Sequence, residues 1–291
     1  MMRIQITGID LLREFFQSLK SKGFELPSFQ RSSEVIVFSD YAGERNEDSY
    51  KSYSFLILDK LSSLEVCHKI IELRETEREW KDGSFIEYKK MGDKVRSRIL
   101  PRFLKIFDDV EGMILTVLID KKSPDYFTRV THKEAKKIEE LGLGRWKVHI
   151  LRKISDVLSI LSFLEKYFLD EKTSIIWYSD RDDIFGAHQT KSVETLEMLS
   201  KFRQVFEAKQ KPLKYIFDNH LILNSDFLAV ADLACGGVLE YYQRTQKKVP
   251  LKESTEQIMG WLSSNNSKLK KFMLVGQVEE SNKQLIAIIN Y

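Results

Sequence analysis

Three apolar, β-branched runs in this chain each stop on an aspartate: Val35 to Asp40, Met113 to Asp120 and Ser174 to Asp180. Such runs read as strands. A fourth, Tyr53 to Asp59, follows the first across a polar stretch holding Gly43, which predicts an antiparallel hairpin with Asp59 as a solvated strand end. Residues 9 to 22 place Leu11, Leu12, Phe15, Phe16 and Leu19 at helical spacing ahead of Gly23 and Pro27, a helix with its stop. Ser62 and Glu65 have capping-box spacing, and Leu64, Cys67, Ile70 and Ile71 form a stripe that ends in the charged run Arg74 to Glu79, expected as a solvated helix face. Phe85 to Tyr88 suits a short strand, and Val95, Ile99, Phe103 and Phe107 then share one side of a helix kinked at Pro101.

Beyond the third strand, Thr131 to Leu169 is helical with an interruption near Gly142 and Gly144. Val193, Leu196, Leu199 and Val205 return to helical spacing, Tyr215 to Phe217 is strand-like, and Phe227 to Tyr242 is an apolar helix. Phe272 to Val278 and Leu285 to Ile289 predict a closing hairpin that either completes the sheet or pairs with a second copy. No repeat or long linker divides the chain. The organisation expected is one α/β domain over 31–250, an N-terminal helical appendage over 1–30, and a C-terminal helix and β-hairpin extension over 251–291.

Composition narrows the partners only a little. The 291 residues suffice for a full core, and 46 Lys and Arg nearly balance 43 Asp and Glu, so the net charge of +3 selects no partner by itself. Cys67 and Cys235 stand far apart without neighbouring ligands, which excludes a disulfide framework or zinc knuckle and points to a reducing compartment. Asp10, Arg13 and Glu14 interrupt any signal-peptide core, and no apolar run approaches the ~18 residues of a membrane span, so a soluble cytoplasmic protein without membrane contact is expected. His68, His132, His149, His188 and His220 lack metal-ligand spacing. No Walker loop, dinucleotide fingerprint or nucleophile elbow is present, which argues against ATP-driven and acyl-transfer chemistry.

The aspartates change the picture more. If the three strands run the same way in one sheet, Asp40, Asp120 and Asp180 share the edge where open α/β sheets place their sites. A fourth, Asp232, is the single charge in the helix Phe227 to Leu239, where an ionised carboxylate is costly without a partner. An arginine or backbone donors would satisfy it; so would a cation shared with the strand-end acids, and that reading accounts for all four. Ala231, Ala234, Gly236 and Gly237 would let this helix approach the sheet closely. Basic stretches at Lys121-Lys122, Lys133 to Lys137, Lys209 to Lys214, Lys247-Lys248 and Lys268 to Lys271 are ordinary solvated surface or a track for a nucleic-acid backbone, with Lys121-Lys122 nearest the proposed edge.

Phe38-Ser39-Asp40-Tyr41-Ala42-Gly43-Glu44, Tyr178-Ser179-Asp180-Arg181-Asp182 and Val230-Ala231-Asp232-Leu233-Ala234 occur in that order on strand, strand and helix. Together they resemble the DUF3800 family of bacterial and phage proteins, within the ribonuclease H-like superfamily, over about Val35 to Tyr242. The resemblance implies an α/β fold with a ribonuclease H-like mixed sheet flanked by helices. It implies that Asp40, Asp180 and Asp232 hold two divalent ions, Mg2+ or Mn2+, with Glu87 or Asp120 completing the set. Lys89 is either a partner for the scissile phosphate or an exposed lysine. The family's Asp-Glu-Ser-Gly is Asp-Tyr-Ala-Gly-Glu here, which keeps Asp40 in place and carries no role over to Glu44. The function implied is a metal-dependent nuclease that hydrolyses phosphodiester bonds of DNA or RNA by a two-metal mechanism. The alternatives are an inactive binding or regulatory subunit of a defence or mobile-element assembly, and a phosphatase for small phosphoesters. A homo-oligomer or an accessory protein partner is compatible with either nucleic-acid reading.

Overall fold

A computed structural model describes residues 7–29, 32–80, 84–123, 126–127, 130–142, 144–179, 184, 213–217, 222–265, 267–279 and 282–288. Helix α1 (Gly8–Ser21) precedes β1 (Glu34–Ala42) and β2 (Tyr50–Asp59), followed by α2 (Lys60–Thr76) and α3 (Lys94–Asp108). Strand β3 (Gly112–Asp120), α4 (His132–Glu140), α5 (Val148–Phe168), β4 (Ser174–Ser179) and β5 (Leu213–Phe217) come next. The chain closes with α6 (Ile222–Lys247), α7 (Glu253–Leu262), β6 (Leu269–Glu279) and β7 (Asn282–Ala287).

The seven strands form one sheet in the order β5-β4-β1-β2-β3-β6-β7. β1 and β2 pair antiparallel, as do β2 and β3, whereas β4 lies parallel to β1 and β5 parallel to β4. The sheet is therefore mixed: a three-stranded antiparallel meander with two parallel strands added beside β1. β6 runs parallel to β3 and β7 returns antiparallel, so the C-terminal hairpin extends the sheet on its β3 side.

The central strands β1, β2 and β3 are buried on both faces because helices cover both sides of the sheet. Val35, Val37 and Tyr41 of β1 point with Leu115 and Val117 of β3 toward α1, α4 and α5; Ile36, Phe38 and Ala42 point toward α2, α3, α6 and α7. Such strands read as continuous apolar runs rather than alternations, which is why they stand out in the sequence. The N-terminal helix belongs to this packing. Its Leu12 and Phe16 are fully buried, with the Phe16 ring 4.8 Å from Phe272 and 5.2 Å from Phe168, and each contributes about 1.5–3 kcal/mol by burial.

Four local expectations are corrected. Asp59 is not a solvated strand end: its carboxylate accepts from the backbone N–H of Leu61 and Ser62 and caps α2, so the capping box at Ser62 and Glu65 is not the helix start. The buried stripe of α2 is Ser63, Val66, Ile70 and Leu73, while Leu64 and Ile71 are exposed. Arg74 is not solvated but paired in the interior. Phe85 to Glu87 is extended without being a strand, and Tyr88–Lys90 forms a 3-10 turn. The Phe85 carbonyl accepts from Arg96 Nε, so this backbone is held by a side chain instead of a neighbouring strand. α3 continues through Pro101. The helical spacing at Val193 to Val205 falls outside the described residues.

Candidate functional site

β1, β3 and β4 run in one direction, so their C-terminal ends open on the same edge of the sheet. On β1 the alternation that sends Phe38 and Ala42 toward α6 sends Asp40 the same way. α6 lies close against this face because its contact surface is small: Ala231, Ala234 and Cys235 are fully buried. The contact is pinned at Cys235, whose carbonyl accepts from Ser52 Oγ at 3.0 Å and whose Sγ lies 3.3 Å from the Ser52 carbonyl. Ser52 is the register partner of Ala42, two residues beyond Asp40. Burial, and next the negative charge of Asp40, push the Cys235 thiol well up; Asp232, one turn earlier on α6, pushes in the same direction. The first-strand acid and the helix acid thus both act on one buried thiol, Asp40 from β1 and Asp232 from α6.

Asp232 is also held from a second side. Its Oδ2 accepts from the backbone N–H of Tyr88 at 2.6 Å. The 3-10 turn comes this near because residue 236 of the helix is glycine. A Cβ there would stand 2.4 Å from Tyr88 Cδ1 and 2.5 Å from its Cγ. Gly236→Ala is expected to push the ring away and cost about 1–3 kcal/mol, as overpacking does. A urea unfolding midpoint lower than wild type checks this, and Gly260→Ala, where a Cβ meets nothing within 4 Å, is the control.

The remaining candidates separate into those near this pair and those away from it. Glu87 adjoins Tyr88 in the chain, and its carboxylate pairs with Lys90 and with Lys89 at 3.0 Å. Burial acts to raise its pKa, but those two ammonium groups outweigh burial and hold the carboxyl low. Lys89 is exposed. Asp120 does not join Asp40. Asp40 is level with Ser54, Ser54 with Thr116, and Asp120 lies four residues farther along β3. At ~4.8 Å per strand and ~3.4 Å per residue the separation is roughly 16 Å. Its Oδ1 instead accepts from Lys122 N at 2.8 Å and closes the turn after β3. β4 ends at Ser179, the register partner of Ser39; Asp180, like Asp182, Asp183, His188 and His220, lies outside the described residues. Among the described residues no three His, Cys, Asp or Glu side chains are grouped to hold a metal ion. Asp40 and Asp232 offer the hard oxygen donors that a magnesium-like ion prefers, two of the several it needs.

Cations surround this edge on both sides of the β1–β2 turn. The connection passes close to β2 at Gly43, which has φ 89° and where a Cβ would meet the Tyr50 carbonyl at 2.2 Å. On the α6 side lies a groove of about 990 Å³ lined by Arg45, Lys89, Arg244, Lys247 and Lys252, by the acids Glu44, Asp48 and Glu240, and by Tyr88 and Gly236. On the α5 side a cavity of about 420 Å³ is lined by Lys51, Lys121, His149 and Lys153. Lys153 is nearly buried and pairs with Glu44, and burial, together with Lys153 and Lys121, lowers the Lys51 pKa although Asp156 opposes them.

Sequence reasoning missed one charged pair and one tether. Arg74 grips the fully buried Asp226 with two hydrogen bonds, Nε to Oδ2 at 3.0 Å and Nη2 to Oδ1 at 2.6 Å, while its guanidinium sits 3.8 Å above the Trp80 ring. Burial pushes Asp226 up to about 6 against the pull of Arg74. The tether is Glu240, which accepts from the Tyr88 hydroxyl and pairs with Arg244 and Lys252. Only the i, i+4, i+8 spacing of Asp232, Gly236 and Glu240 on one helix face could have signalled it.

No helix among the described residues is long and apolar enough to cross a membrane. No protein family matches the chain, and no curated protein does. Solved structures are similar to it, two of them ribonucleases H. One is Bst ribonuclease HIII, crystallised in complex with Mn2+, at 9% identity and a TM-score of 0.37 over 81% of this chain and 69% of that one. The other is ribonuclease H2 from Pyrococcus horikoshii OT3, at 14% identity and a TM-score of 0.35 over 78% of this chain and 85% of that one.

Proposed function

We propose that this chain is a divalent-metal-dependent nuclease of the cytoplasm, a member of the DUF3800 family, that hydrolyses phosphodiester bonds of DNA or RNA. The observation that carries the reading is that β1 presents Asp40 toward α6, the helix that bears Asp232, near the C-terminal edge of the sheet, next to a groove whose lining includes Arg45, Lys89 and Lys247. Asp40 and Asp232 would hold Mg2+ or Mn2+, with Asp180 as the third donor. Bound there, a divalent ion would supply an activated water and offset the charge on the leaving oxygen. The chain's own residues do the rest. The Tyr88 N–H fixes one oxygen of Asp232 and so sets the direction of the whole carboxylate. Arg45, Lys89 and Lys247 draw the strand's phosphates along the groove. The apolar packing of α6 on β1 and β2 excludes water from behind the carboxylates.

Incubation with single- and double-stranded DNA and RNA, with and without Mg2+ or Mn2+, tests this reading; intact substrate under every condition contradicts it. Binding is expected to weaken steeply with salt, and Lys247→Ala to reduce the slope of log K against log salt by about 0.7–0.9. Titration of a labelled oligonucleotide between 50 and 200 mM salt (about the range over which such contacts are lost) measures it. A second reading, an inactive binding subunit of a defence or mobile-element assembly, is favoured by one observation: Asp232 already has a backbone donor that satisfies one of its oxygens. It predicts undiminished nucleic-acid or partner binding when the acids are replaced.

A further inference from the structure

Tyr88 lies along one face of α6 and touches it at three points, each one turn from the next. Its backbone N–H meets Asp232, its ring covers Gly236, and its hydroxyl donates to Glu240. The hydroxyl is also 2.9 Å from Thr255 Oγ1 at the start of α7. Glu240 is nearly buried and is gripped in turn by Arg244 and by Lys252, whose Nζ is 3.0 Å from Oε1. Two elements that do not belong to the sheet, the 3-10 turn and α7, are thereby fastened to α6 through one tyrosine ring.

We infer that Tyr88 and Glu240 are positioning residues for Asp232: the hydroxyl-to-carboxylate bond at one end of the tyrosine fixes the backbone N–H at its other end, and that N–H sets the orientation of the Asp232 carboxylate. The inference rests on the reading of Asp232 as a metal holder and adds to it the residues that aim it. Three features support the arrangement. The ring is seated directly on Gly236, where a Cβ would stand 2.4 Å from its Cδ1 and 2.5 Å from its Cγ. The Tyr88 hydroxyl is held from two sides, by the Glu240 carboxylate and by Thr255 Oγ1 at 2.9 Å. Burial of Glu240 is outweighed by Tyr88, Lys252 and Arg244, which keep it an ionised acceptor. A hydrogen bond to an ionised acceptor is stronger than a neutral one, and this tether does not loosen near neutral pH.

The test is Mn2+ binding to the full chain, measured by calorimetry and by the electron paramagnetic resonance of the free ion, which needs no assumption about cleavage. Tyr88→Phe and Glu240→Ala are each expected to weaken Mn2+ binding about tenfold or more, the range for residues that orient a metal ligand. The double variant should fall no further than the single ones, because both cut the same tether. Glu240→Gln keeps an acceptor for the hydroxyl and should recover most of the affinity, a rescue that a merely space-filling role would not require. Tyr88→Phe keeps the ring on Gly236, so it tests the tether even if Glu240→Ala fails to fold. Wild-type protein that takes up no Mn2+ overturns the metal reading and this inference with it. Wild-type uptake that is matched by folded Tyr88→Phe overturns this inference alone, as does a Glu240→Gln variant no better than Glu240→Ala.

Discussion

Asp40→Asn and Asp232→Asn each lower metal-dependent cleavage by more than ~100-fold, since even the partners that orient metal ligands are worth about 10–100-fold. Asparagine is the informative replacement at both positions. It keeps the size of the side chain and one carbonyl oxygen, so the amide in Asp232→Asn retains an acceptor for the Tyr88 N–H and the turn stays in place. What it removes is the negative charge, the property that a hard divalent ion selects. The expected result is therefore a protein with an unchanged unfolding midpoint and a cleavage rate below about one-hundredth of wild type. The measurement is an initial rate at saturating Mn2+ together with a urea titration on the same preparation. Asp120→Asn serves as the contrast. Asp120 lies far along β3 and closes a turn, so its replacement is expected to leave the rate within about threefold of wild type, the ordinary scatter of such contributions, and a large loss there would move the site away from α6.

Arg74→Met destabilises the fold by about 3–5 kcal/mol, the cost of leaving a buried carboxylate without its partner. Asp226 is fully buried and its two oxygens face the guanidinium, so no water replaces what is lost. The stacking of Arg74 on Trp80 goes with it. Arg74→Met combined with Asp226→Leu is expected to recover most of the loss, because two apolar groups of similar size leave no charge behind. The pH dependence has a definite sign. Burial already raises the folded-state pKa of Asp226 above its ordinary value, to about 6, and without Arg74 it rises further. A raised carboxyl stabilises the folded state below its unfolded pKa and ceases to do so as pH climbs through the folded one. The deficit of Arg74→Met is therefore smaller at pH 5 than at pH 8. Urea midpoints at the two pH values measure it.

The sheet and the helices over it were legible because burial on both sides writes long apolar runs. Val35 to Phe38, Met113 to Ile119 and Phe227 to Val238 are such runs; the two strands took nearly the expected bounds, while the helix runs from Ile222 to Lys247, beyond the expected Phe227 to Tyr242 at both ends. α2 was legible as a helix but not in its orientation. Leu61, Leu64 and Ile71 lie on its exposed side while Ser63 is buried, so hydrophobicity gave the wrong stripe there. Phe85 to Tyr88 has the composition of a strand, yet its backbone bonds to Arg96 and Asp232, partners remote in sequence that no local pattern announces. In the site, the solitary charge of Asp232 was readable because a carboxylate in an apolar helix is conspicuous. Asp226 was not, because it stands at the polar border of the same helix and its partner Arg74 sits in a run of charges. The distance between Asp40 and Asp120 was beyond reach of the sequence, since it depends on how far β3 slides past β2.

The placement of the C-terminal hairpin has a bearing on how the chain tolerates shortening. β3 is buried from Gly112 to Ile119, and β6 occupies the side of it that β2 leaves open. A polypeptide stopped before Leu269 would bare a long, flat, uncharged row of amides and carbonyls, the kind of surface that recruits other chains into insoluble fibres. The last two strands are thus the sheet's solubilising border, and the fold's tolerance for trimming ends where they begin.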